Sequence, residues 1–357
     1  MQFDFYPSKE GSSSCLILVG GTGDTKERYA SLAVLLNQAL PSISICATTL
    51  TEKPSLQETL TLQQEELVEV CHELADKHQV DSIHIYATSM GAYSTCFLLA
   101  NTEYSNKLRQ VIFYDPADYY LDNNSEEYTW TGFAEYSPGR AVVSSLLKNV
   151  SGRALVHVVH LTLRNYGPSG YSTGNYVERG RAEASLFPRL NSKMVKTFYT
   201  NLPEKNRGEY LEVNDVPHGF IGDGDIPQNL GKITATVESL LNVWRGVVIE
   251  ESLSDESLIK KVNIVGTKTS KLENENRILT FHKIEVPGSF QEKYVEAVKK
   301  NIKDSFYTHL CKDDNMIVIF HNKVFTFTKG DPQLKNAREY GKSIGIIAEQ
   351  MPFEHLI

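Results

Sequence analysis

Short apolar runs alternate with helical-period stretches throughout residues 1–248, and this alternation limits what the chain can fold into. Cys15 to Val19, Ile83 to Ala87 and Val111 to Tyr114 are continuous apolar or aromatic runs broken by little besides His84, as expected of strands buried on both faces. Between them, Lys26 to Leu40 carries Leu32, Leu35, Leu36 and Leu40 at helical spacing. Gln63 to His78 carries Leu67, Val70, Cys71 and Leu74 on one stripe. Strand, helix, strand in that order builds a mostly parallel sheet with helices on both faces. Met1 to Tyr6 alternates apolar and polar residues like an edge strand, and Ile43 to Ala47, Ala154 to Leu163 and Gly208 to Val213 supply further strands. Helices are expected over Pro138 to Lys148, Glu178 to Tyr199 and Leu230 to Trp244.

At Glu250 to Ser257 the chain becomes acidic and serine-rich, and the domain boundary is expected there, leaving 1–248 and 258–357. The later part reads as a small α+β domain. Strands are expected at Val262 to Thr267 and Ile278 to Val286, and a long helix over Phe290 to Leu310. A hairpin over Met316 to Thr328 should turn at His321, Asn322 and Lys323, and a last helix should start at Asp331-Pro332 and end at Gly341 or Gly345.

Composition narrows the function classes. The formal charge is −8 in 357 residues, and the C-terminal hundred are close to neutral, which argues against nucleic acid as a partner. The five cysteines lie apart, without a C-x-x-C pair, and read as free thiols. The first residues lack a basic stretch followed by an apolar one, and no run approaches a membrane span, so a cytoplasmic protein is expected.

The chemistry starts at Ala87-Thr88-Ser89-Met90-Gly91. Here the apolar strand breaks into small residues around a serine and continues as a helix. A serine at such a tip stands clear of both elements, with the first amides of the helix behind it. Small residues two before and two after are needed because the sharp turn nearly brings strand end and helix start into contact. Asp115 and His218 each follow a later strand, and the order Ser89, Asp115, His218 resembles that of the α/β-hydrolase superfamily over roughly residues 1–248.

The resemblance implies an α/β-hydrolase-like sheet and a Ser-His-acid triad. His218, followed by Gly219 and Phe220, would be the base. Members most often carry the acid after the strand that here ends Arg164-Asn165-Tyr166-Gly167, which has no carboxylate. Tyr114-Asp115-Pro116-Ala117 is similar to the context used by pancreatic-type lipases, so Asp115 is the expected acid, with Asp118, Glu178 and Asp215 as alternatives. The oxyanion donors would be the Met90 amide and one from Gly20-Gly21-Thr22-Gly23, at Gly21 or Thr22. The aromatic insertion at about 121–150, with Tyr128, Trp130, Phe133 and Tyr136, occupies the place of a lid.

The expected activity is cleavage of an ester, thioester or amide of a small or medium acyl substrate, without metal or other cofactor. Arg140, Arg164 and Arg179 are the cations available for a carboxylate. Gly222-Asp223-Gly224-Asp225 reads as a solvated turn rather than a calcium loop. Two other readings stand beside this one. The fold could serve as a scaffold or signalling protein working through its C-terminal domain, which is also where a homo-oligomer or protein partner would dock. Alternatively, Val19 to Gly23 could open a nucleotide-binding loop of an NAD(P)-dependent oxidoreductase. Against the latter, Lys26 stands where a third glycine would be, and no ribose-reading residue ends the Ile43 to Thr49 strand.

Overall fold

The computed structural model describes residues 2–21, 24–53, 56–101, 103–104, 107–116, 119–121, 128–130, 140–141, 146–150, 152, 154–162, 192–214, 226–271, 278–312 and 314–353. The chain divides into two compact units, Met1–Glu238 and Ser239–Ile357.

In the first unit, β1 (Gln2–Tyr6), β2 (Ser14–Val19), α1 (Lys26–Ala39), β3 (Ser44–Thr49), α2 (Leu56–His78), β4 (Ser82–Ser89), α3 (Gly91–Ala100) and β5 (Leu108–Pro116) follow one another. Three short strands come next, β6 (Tyr119–Leu121), β7 (Tyr128–Trp130) and β8 (Arg140–Ala141), and form a small sheet of their own. They are followed by β9 (Leu155–Thr162), α4 (Ser192–Asn201), β10 (Arg207–Asn214) and α5 (Ile226–Leu241), whose last three residues belong to the second unit. The main sheet has seven strands in the order β1-β3-β2-β4-β5-β9-β10. Only the edge pair β1 and β3 is antiparallel; the other pairings are parallel.

The continuous apolar runs form the central strands because parallel strands are covered on both faces. Cys15, Ile17, Val19, Ile83, Ile85, Ala87, Val111 and Phe113 pack in one core with Leu67, Val70, Cys71 and Leu74 of α2, Leu98 and Leu99 of α3, and Val195 and Phe198 of α4. On the other face α1 packs through Tyr29, whose ring meets Tyr86 edge-on. Four of the five cysteines are buried, Cys311 is partly exposed, and all five are free.

Where helix was expected over Pro138 to Lys148, Arg140–Ala141 is instead extended and pairs with β6. Leu147–Asn149 forms a short 3-10 turn. Most of that insertion, and 163–191, lies outside the described residues. The helix expected to reach Trp244 ends at Leu241, because the Asn242 carbonyl turns away to accept the Gly288 N–H at 2.8 Å. The β-branched stretch beyond it is β11 (Val243–Ile249), a central strand of the second sheet.

That second sheet adds β12 (Asn263–Lys271), β13 (Ile278–Pro287), β14 (Tyr307–Lys312), β15 (Asn315–Phe320) and β16 (Lys323–Thr328), in the order β12-β13-β11-β14-β15-β16. Helices α6 (Gly288–Asn301) and α7 (Gln333–Ser343) accompany it. All its pairings are antiparallel. Along β15, Ile317 and Ile319 point into a core with Tyr294 and Val298 of α6. Met316, Val318 and Phe320 enter a second core with Ala337, Met351 and Phe353. The hairpin turns at His321 and Asn322, where Asn322 takes φ of 58°.

The helix expected over Phe290 to Leu310 is cut short at Asn301. Its end is fixed from outside: the Asn301 carbonyl accepts the Ser254 N–H at 2.8 Å, and Ile302 bridges to Leu253. Tyr307 to Lys312, rich in residues that favour strands, then joins β11 and β15.

Buried His157 of the first sheet carries a pH signature. His157 is fully buried, its Nδ1 accepts the Glu209 N–H at 3.0 Å, and burial, reinforced by nearby His84, pushes its pKa down to about 3. In the unfolded chain this imidazole titrates near the ordinary value of about 6.5. Above that pH both states leave it neutral. As pH falls through that value toward 3, only the unfolded chain takes the proton, so stability falls, by up to about 1.4 kcal/mol per pH unit. His157→Asn keeps an acceptor and removes the titration. Urea unfolding between pH 7 and 4.5 should show a loss smaller by about 2 kcal/mol in the variant than in the wild type. Identical pH slopes would refute this account.

Candidate active site

In an open α/β sheet the functional crevice lies at the carboxyl ends of the strands, where the chain order reverses across the sheet. Here β2 is flanked by β3 on one side and β4 on the other, so the crevice lies between the ends of β2 and β4. The glycine loop leaves β2 there, and Ser89 ends β4.

Ser89 has φ of 45°, in the left-handed region that a non-glycine residue adopts only under constraint. The constraint is the strand-to-helix turn. Residues 83–88 and Met90 are buried, whereas Ser89 is partly exposed. Met90 caps α3, so its amide is among the first N–H groups of that helix. Gly91 explains why a small residue must follow two positions after the serine. A Cβ built there would stand 2.6 Å from the Gly20 carbonyl oxygen, 2.8 Å from that of Val19 and 2.9 Å from Val19 Cγ1. Two positions before, the alanine in place of the usual glycine is accommodated, with Ala87 fully buried beside Val19.

Gly91→Ala should therefore cost about 3 kcal/mol in denaturant unfolding, because the two nearest clashing atoms are backbone oxygens that cannot rotate aside. Activity per folded molecule should fall as well, because Gly20 can yield only by shifting the loop beside Ser89. A variant matching the wild type in both would show that the turn is looser than this.

The glycine loop abuts the serine directly. A Cβ on Gly21 would stand 2.8 Å from Ser89 Cβ and 3.5 Å from its Oγ. The Gly21 N–H, one of the two loop candidates for the second oxyanion donor, donates to Asp24 Oδ2 at 2.7 Å. The same oxygen accepts from the Tyr29 hydroxyl at 3.1 Å, and Oδ1 accepts from the Arg28 guanidinium at 2.9 Å. Tyr29 Oη also lies 2.9 Å from Thr88 Oγ1. Asp24, Tyr29 and Thr88 were not singled out by the sequence. Asp24 stands three residues beyond Gly21, a legible turn signal, but its tie to Tyr29 and Thr88 depends on how α1 docks.

On the opposite side β4 pairs with β5 up to Thr88 against Tyr114, and then, after an irregularity, Ser89 against Pro116. The Asp115 backbone thus lies at the carboxyl end of the strand next to the serine; nothing is described of its side chain. Thr22, Asp118, Glu178, Asp215 and His218, with Arg164, Arg179 and Asp223 to Asp225, lie outside the described residues. His84, His157 and His160 are buried within strands, as expected of core histidines. No helix among the described residues is long and apolar enough to cross a membrane.

No protein-family model matches the chain, and no curated protein matches it. Among solved structures, it is similar to the esterase domain of a Rhodothermus marinus protein. Identity is 9% and TM-score 0.40, over 66% of this chain and 88% of that one. It is also similar to a dienelactone hydrolase from Anabaena variabilis, at 13% identity and TM-score 0.40 over 67% and 90%. A third is a soluble variant of monoglyceride lipase from Saccharomyces cerevisiae, at 9% identity and TM-score 0.41 over 66% and 89%. The strand order, the antiparallel edge strand and the serine turn give the first unit its α/β-hydrolase-like fold.

Proposed function

We propose that the first unit is a serine hydrolase that cleaves an ester, thioester or amide of a small or medium acyl substrate through an acyl-enzyme. The observation that carries this reading is Ser89, held at positive φ on the tip of β4 at the switch point of the sheet. A strained serine at that place has a cost of about 1–3 kcal/mol that packing alone does not require.

In this mechanism His218 takes the Ser89 hydroxyl proton as Oγ bonds to the acyl carbon, and the carbonyl oxygen becomes an oxyanion. The oxyanion is met by the Met90 amide and by one from the glycine loop. Because the Gly21 N–H is committed to Asp24, Thr22 is the better of the two loop candidates. His218 then returns its proton to the departing alcohol, thiol or amine. Water, deprotonated by His218, attacks the acyl-enzyme, releases the acid and restores the serine. Asp115, beside the elbow on β5, is proposed to orient the imidazole. The insertion is proposed to cover the site and the second unit to serve a partner or a second copy.

A fluorophosphonate probe tests the reading. Ser89 Oγ forms the bond to phosphorus as the P–F bond breaks; fluoride leaves and the hydroxyl proton passes to the base. Labelling at pH 8 that disappears in Ser89→Ala is expected. Absence of labelling in the wild type would favour a scaffold role. A panel of p-nitrophenyl esters of increasing acyl length would then size the acyl pocket.

A further inference from the structure

The loop facing Ser89 is held by a carboxylate. Asp24, whose side chain is only 9% exposed, accepts hydrogen bonds from the Gly21 amide, the Tyr29 hydroxyl and the Arg28 guanidinium. A carboxylate only accepts, so the single Tyr29 proton is directed to it, and the contact with Thr88 must run the other way, from the threonine hydroxyl to the tyrosine oxygen. Tyr29 stays protonated for this role, since burial and then the Asp24 charge raise its pKa well above the ordinary value. The result is a directed chain: Thr88 to Tyr29 to Asp24, with Gly21 donating from the opposite side. It joins the residue before the nucleophile to the glycine that packs against the nucleophile.

Resting on the serine-hydrolase reading, we propose that Asp24 is a positioning residue for that reaction. Through the Gly21 amide it holds the loop backbone as a wall against the Ser89 side chain; through Tyr29 it ties that wall to the end of β4. Arg28 balances its charge, so that a carboxylate near the crevice does not oppose an oxyanion forming there. The residue touches no substrate. Its effect therefore falls on the orientation of Ser89 in the reacting complex and not on ground-state binding of a neutral ester.

The test uses the full chain, with p-nitrophenyl acetate and the fluorophosphonate as probes and thermal unfolding as a control. Asp24→Ala should lower kcat and the labelling rate constant by about 10²-fold, with KM changed no more than about twofold. Asp24→Asn, which keeps an acceptor oxygen for the Gly21 amide, should recover most of that loss. Tyr29→Phe, which removes the hydroxyl bound to both Asp24 and Thr88 and leaves the Gly21 and Arg28 contacts of Asp24 in place, should lose about tenfold. If Asp24→Ala fails to fold, the other two decide: Tyr29→Phe folded with wild-type kcat and labelling overturns the proposal. A folded Asp24→Ala labelled at the wild-type rate also overturns it, while Ser89-dependent labelling keeps the hydrolase reading intact. A wild type that is not labelled overturns both.

Discussion

Replacing Ser89 by alanine is expected to abolish turnover of any ester the protein cleaves, with kcat falling by about 10⁵-fold or more. Without the hydroxyl no acyl-enzyme forms, and what remains is attack by water in a site built for another nucleophile. His218→Ala should cost about as much, because a serine hydroxyl is not ionised at neutral pH and needs a base to attack. The pair acts as one unit, so the double variant should be little worse than either single one. Independent losses that multiplied would instead mean that the two residues serve separate steps. The unfolding midpoint of Ser89→Ala should stay close to that of the wild type, since the change removes one oxygen at a partly exposed turn. Ser89→Gly should be still more readily accommodated, because glycine adopts φ of 45° without strain. Loss of activity with retained or increased stability is the signature of a residue kept for chemistry rather than packing.

The parts of this site that were legible in the sequence are those fixed by local rules. Cys15 to Val19 and Ile83 to Ala87 are short apolar runs that suit strands buried on both faces, and the small residues around Ser89 suit a close approach of strand end and helix start. Gly91 bears this out: the atoms within 3 Å of its missing Cβ belong to Val19 and Gly20, which the sequence separates from it by some seventy residues. What was not legible depends on docking. Asp24 follows the glycine loop in the sequence, and only the docking of α1 ties it, through Tyr29, to Thr88.

The errors in the second unit have the same origin. Helical periodicity continues past Asn301, but Ser254 and Leu253 take up the helix end and its neighbour. It likewise continues past Leu241, but Gly288 claims the Asn242 carbonyl. In both places a distant segment overrides a local pattern, and nothing within a fifteen-residue window records it.

The same distinction governs the identity of the acid. Asp115→Asn is expected to lower kcat about 10⁴-fold while leaving KM nearly unchanged, if this carboxylate orients the His218 imidazole. An amide at that position can present its N–H₂ to the imidazole and select the wrong tautomer, so the loss exceeds that of a missing charge alone. The sheet supports the choice of Asp115 made from its sequence context: β5 is the parallel neighbour of β4, and Asp115 immediately precedes Pro116, which pairs with Ser89. The alternatives Asp118, Glu178 and Asp215 lie outside the described residues. The pH profile separates loss of the acid from simple misfolding. With the carboxylate gone, the apparent pKa of the base in kcat/KM should fall, because the imidazolium has lost its stabilising negative partner. A folded Asp115→Asn with wild-type kcat and an unshifted profile would transfer the role to one of those three. Asp215 would then be the first to test, since it immediately follows β10, the neighbour of β9 at the far side of the sheet.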